Sequence, residues 1–179
     1  MYQNYFCESD NNLGMSDIDF VRSGLKATRN WRDLILSRCN EIGLKDLSYR
    51  PRTGMSAFGW ILAHQAAVFD YSLNVLIKKQ DPTNTEMFES YRPGTDGSWI
   101  GTSFDEISAY YDSGESSIIE WVDSAGTPDF EAVIEEGTAP KFFVGMTIRD
   151  VIANMFCHLS FHSGQLESLR RDWLKQKSG

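Results

Sequence analysis

Long apolar runs are absent from this chain. None reaches eighteen residues, so no segment reads as a membrane-spanning helix and no membrane partner is expected. Cysteine is scarce. Cys7, Cys39 and Cys157 are odd in number and form no CxxC pair, which argues against a disulfide framework and against a zinc knuckle. Cys39 and Cys157 fall in helical patterns and read as small buried hydrophobes. Positive charge is also short: 17 basic residues face 25 acidic ones, for a net charge of −8. The longest basic cluster, "LRRDWLK", closes a helix, where cations complement the dipole, so nucleic acid is not expected as a partner. The start, "MYQNYFCESDNN", lacks the basic and apolar regions of a signal peptide, and a cytoplasmic protein is expected.

What is present is helical periodicity. The 179 residues suit one domain, 1–179, with residues 1–15 as an N-terminal extension. Four segments repeat apolar residues at steps of three and four, each the mark of a helix burying one face. The first runs from about Ser16 to Ile42, with Val21, Leu25, Thr28 and Ile35 on one stripe, and Gly43 closes it. The second starts near Ser56, read as its N-cap, and carries Ile61, His64, Val68, Tyr71 and Val75. The third opens on Ser103 and Glu106, spaced as a capping box, and the fourth on Thr147 and Asp150, an acidic variant of the same box. The expected fold is all-α, a four-helix bundle. Between the third and fourth helices, two short apolar runs around "EEGTAP" read as a short hairpin or an irregular segment. The long connection "DPTNTEMFESYRPGTDGSWIGT" is of the kind that rims a site.

The chain holds only three histidines, and two stand four apart in "HLSFH". Residues i and i+4 lie on one helix face about 6 Å apart along the axis, so His158 and His162 can share one ion. His162 occupies an apolar-stripe position between Leu159 and Leu166, and His64 does the same between Ile61 and Val68. Both helices therefore aim histidine at the bundle interior. A lone histidine on such a stripe is ordinarily a packed core residue; three without partners would each cost roughly 1–3 kcal/mol of desolvation. One divalent metal would satisfy all three. Three imidazoles leave coordination positions open, as catalytic rather than structural sites do, and zinc or nickel lead among the ions imidazole suits. Gln165 and Asn154 share the histidine face and can reach the site as outer contacts or substrate contacts, although Asn154 suits a bond to a neighbouring helix equally well. Gly164 reads as a point of close helix approach, and Tyr71 as a packed tyrosine whose hydroxyl could come near the metal.

"GWILAHQAAVF" followed by "HLSFHSGQL" resembles the DinB-like superfamily of four-helix-bundle metal proteins, over roughly residues 16–176. That family's pattern is a histidine in the second helix, then His-x-x-x-His with Gly and Gln in the last long helix. The resemblance implies that His64, His158 and His162 are the metal ligands, with Gly164 and Gln165 completing the motif. Ser163 departs from it, standing where many relatives carry a basic residue. The family includes bacterial thiol-dependent S-transferases and mycothiol-dependent maleylpyruvate isomerases. The implied activity is transfer of a low-molecular-weight thiol to a small electrophilic substrate. Hydrolysis of small amides or esters is the alternative, as is a metal- or ligand-binding stress protein without catalysis. No Glu or Asp falls on the histidine face, so catalytic residues and a general base are unassigned. The resemblance also implies a homodimer, for which Trp31, Trp60 and Trp99 are the spare aromatics.

Overall fold

The structure, a computed structural model, describes residues 15–124 and 128–178. The N-terminal extension expected at 1–15 falls, apart from Met15, outside the described residues. Five α-helices form: α1 (Asp17–Glu41), α2 (Phe58–Asp70), α3 (Thr85–Tyr91), α4 (Phe104–Asp123) and α5 (Ile148–Ser178). A π-helical stretch, Tyr71–Ile77, continues α2 directly. The fold is all-α, and the four long helices pack as a bundle in which α2 touches α4 and α5, and α1 touches the same two from the other side. No helix among the described residues is long and apolar enough to cross a membrane.

Local chemistry accounts for most helix ends. The Ser16 hydroxyl accepts from the Asp19 N–H at the start of α1, and Gly43 follows its end at φ +72°, a left-handed conformation that glycine adopts without strain. Ser103 and Glu106 form the reciprocal capping box of α4. Thr147 and Asp150 do the same for α5, through bonds of 2.9 and 3.1 Å. The start of α2 differs from expectation: its N-cap is Ala57, with no side-chain bond, and Ser56 lies one residue too early. Tertiary bonds serve instead, the Phe58 and Gly59 N–H groups donating to the carbonyls of Tyr49 and Leu47 at 2.9 and 2.7 Å.

The second helix is not amphipathic. Every residue from Phe58 to Asp70 is buried, so α2 is the central rod and not a surface helix. Past Asp70 the wider π turn changes which positions face inward. Ser72, Leu73, Asn74 and Leu76 are buried, and Val75, expected on the core stripe, is only half-buried. On the other flank, Gly114 lets α4 close onto Phe69, because any Cβ there would overlap that side chain. Arg32, from α1, is buried with its guanidinium 4.0 Å from the Tyr111 ring centre of α4, a cation–π contact that ties these two helices.

The connections hold two further elements. The long one carries the short helix α3, capped by Asn84. The segment before α5 forms a single antiparallel bridge, Val133 to Thr147, in place of a full hairpin. Two aromatics reserved for an interface are used internally: Trp60 is buried, and Trp99 packs against the core beside Gly59. Trp31 is 56% exposed. Of the two cysteines described, Cys39 is buried as expected, but Cys157 is exposed, because it sits on the outer face of α5.

Candidate metal centre

The three histidines meet. His64 comes from the middle of α2, and His158 and His162 come from successive turns of α5, which packs directly on α2. His158 Nε2 lies 3.1 Å from His64 Nε2 and 2.7 Å from His162 Nε2. One ligand atom from each ring falls within 4.8 Å of the others, a cluster that could hold a metal ion.

Each of two rings is fixed from behind. His64 Nδ1 donates to the Tyr91 carbonyl, the last residue of α3, at 2.5 Å, and its ring lies parallel to the Trp60 indole at 4.5 Å. His162 Nδ1 donates to the Gln165 side-chain oxygen at 2.7 Å. A carbonyl oxygen only accepts, so both Nδ1 atoms carry the proton and both Nε2 atoms present lone pairs. His158 can donate to only one of them. The cluster is therefore rich in acceptors at its centre, a donor set suited to a cation. Two imidazole nitrogens bound to one zinc ion at about 2.0–2.1 Å lie roughly 2.9–3.4 Å apart at ordinary angles, close to the spacings here. The residues fit a divalent ion.

Electrostatics agree. Burial holds the His64 imidazole down to about 4, the Tyr91 carbonyl opposing the shift and His158 reinforcing it. His162 is held down to about 3, by burial first and then by the two neighbouring rings. Burial lowers His158 also. All three stay neutral at pH 7, the state a metal requires of its imidazole ligands.

The other expected site residues divide. Gln165 orients His162. Tyr71 and Asn154 line a cavity of about 470 Å³ that opens onto His158, together with Val68, Phe88 and Met155. Neither residue bonds to a histidine ring. Burial raises the Tyr71 phenol, so it stays protonated. Gly164 faces open space, with nothing near enough to call it a close-approach point. Ser163 is buried, and both it and the Leu159 carbonyl accept from the Gln65 amide, at 3.1 and 3.0 Å, a bond pair that ties α2 to α5 beside the cluster.

Three helpers were not anticipated. Tyr91 acts through its backbone carbonyl and so leaves no side-chain signal. Trp60 and Gln65 were legible in principle, one turn before and one residue after His64.

The model of the DinB superfamily matches residues 27–166, most of the chain and all three histidines. The chain belongs to the DinB superfamily. DinB proteins are metal-binding, which agrees with a histidine triad able to hold an ion. No curated protein matches the chain.

Proposed function

We propose that this DinB protein is a metal-dependent enzyme that transfers a low-molecular-weight thiol to a small electrophilic substrate, with His64, His158 and His162 as ligands of one divalent ion, zinc or nickel. The observation that carries the reading is the kind of wall around the cavity that reaches the triad at His158. It is mostly apolar, and the one carboxylate among its described residues, Glu89, already pairs with Arg92 at 2.7 Å. Hydrolysis calls for a positioned proton acceptor, whereas a thiol brings its own nucleophile.

When bound by the three imidazoles, a divalent ion would supply Lewis-acid stabilisation of negative charge on a thiol sulfur at neutral pH. The chain's own residues do the rest. Gln165 and the Tyr91 carbonyl hold His162 and His64 in the tautomer that keeps Nε2 free. The apolar cavity walls exclude water from the nucleophile and position the electrophile. The thiol proton passes to solvent as the thiol binds; once the electrophile is seated, the sulfur forms a bond to carbon and the leaving group departs with its electron pair. Tyr71, held protonated, can donate to the substrate from the cavity wall.

The test is metal-loaded protein with a panel of small thiols and a chromogenic electrophile. Acceleration by a thiol supports transfer. Cleavage of amides or esters with no thiol effect replaces it by hydrolysis, and no turnover of either kind leaves a binding protein. A homodimer belongs to the same reading, resting on exposed Trp31 alone among the three tryptophans; a monomer by light scattering removes it.

A further inference from the structure

The cavity beside His158 has walls of a particular kind. The Tyr71 ring stacks on Phe88 with centres 5.9 Å apart and planes 19° apart, and meets Phe143 at 5.9 Å and 65°. These three mutually packed rings line one space, together with Val68, Met155 and His158. At the mouth, Arg92 and Glu89 pair with each other, so no unpaired charge stands among the described lining residues.

The outermost wall is built, not draped. It belongs to the segment before α5, which is pinned by Ile134 N–H to Met146 O at 2.8 Å and Gly145 N–H to Ile134 O at 3.0 Å. Buried Ile134 packs with Leu76 of the π-helical stretch and Val151 of α5, and Phe143 packs against this small core. Lys79, two residues past that stretch, adds a tie, donating to the Thr138 hydroxyl at 3.2 Å.

We infer that this cavity takes an aryl group: the electrophile's body is an uncharged single or fused aromatic ring, seated against Tyr71, Phe88 and Phe143, with its reactive atom toward His158. The inference rests on the functional reading above for the direction of the reactive atom. Ring faces and edges attract a further aromatic ring through complementary quadrupoles, beyond what area alone supplies. A cavity of about 470 Å³ lies within the range of small-molecule sites.

Cobalt-loaded protein gives a direct test, because hydroxamates that reach the ion change its visible absorption without any turnover. Benzohydroxamate should bind about tenfold or more tighter than acetohydroxamate, as burial of a phenyl ring predicts. Phe143→Ala, which removes the outer wall, and Val68→Phe, which fills the inner end, should each reduce that ratio to roughly threefold or less. Equal affinities for the two ligands, or a ratio untouched in both variants, would overturn the inference. If cobalt is not taken up, the metal reading fails by itself, and methyl NMR judges the cavity. A Met155 methyl shifted by benzohydroxamate but not by acetohydroxamate supports the aryl site, and an unshifted methyl overturns it.

Discussion

Two buried polar clusters stand on α2, at Asp70 and at His64, about 9 Å apart along the helix, and they are built on opposite plans. The Asp70 carboxylate is surrounded by donors from the protein itself: Asn74 at 2.7 Å, the Thr83 N–H and hydroxyl at 3.0 Å each, and the Tyr110 hydroxyl at 2.6 Å. It fastens the π-helical stretch, the connection before α3 and α4 to one point. The histidines present the reverse, a set of acceptors turned inward with the protons of two rings committed outward. One cluster is complete within the chain; the other is complementary to a cation. Burial alone, which is similar at Asp70, His64 and His162, does not separate a structural group from a ligand set. The direction in which the protons point does.

The sharpest break of this comparison is a pair of substitutions. His162→Ala should weaken divalent-metal affinity roughly a thousandfold, about 4 kcal/mol, with a metal-free stability loss well below that of the Asp70 variant. Asp70→Ala should cost about 3–4 kcal/mol of stability in urea unfolding, since several donors lose a charged acceptor, while the folded fraction still binds metal. If both variants lose metal and stability together, the two clusters are one network.

A pH titration is the next test. The folded pKa values of His64 and His162, about 4 and 3, lie below the unfolded value of about 6.5, so the unfolded chain binds more protons as pH falls. Metal-free protein should therefore lose on the order of 2–3 kcal/mol between pH 6.5 and 5, read by urea midpoints. Metal should also be retained further into acid than free histidine would allow. A flat stability profile over that range would mean that the rings are not held neutral. The smallest expected effect is at Gln165. Gln165→Ala should weaken metal binding about 10–100-fold by freeing the His162 ring, with far-ultraviolet dichroism unaltered. An affinity equal to the unsubstituted protein's would remove its orienting role.

The meeting of the three histidines was readable in sequence because two of them occupy apolar-stripe positions. His64 and His162 each replace one hydrophobic residue in a run of steps of three and four, and helix geometry then dictates where they point. Gln165 followed from the same periodicity. The misreadings have local causes. Ser56 looked like a cap, but α2 begins inside the protein, where the backbones of Tyr49 and Leu47 provide the end-groups' partners. The Val75 position failed because a π turn does not keep a period of 3.6. Gly164 and Cys157 were judged by residue type, although each sits on the outer face of α5. Helix α3 was hidden in a stretch rich in turn residues; it is only seven residues long and is held by packing of Met87, Phe88 and Tyr91. Its last carbonyl, the anchor of His64, is beyond the reach of any residue pattern.

The parallel contact between Trp60 and His64 gives the molecule an optical reporter. An excited indole whose ring centre lies 4.5 Å from an imidazole loses its emission readily, by electron transfer to that ring when it is protonated or by quenching at an open-shell ion bound to it. Its emission should thus dim when nickel or cobalt arrives and stay bright with zinc, whose filled d shell offers no acceptor state. The Trp60 N–H is bonded to the Thr95 hydroxyl at 2.9 Å, which holds the indole in place, so such a change would register the electronic state of the ion and not a movement of the ring.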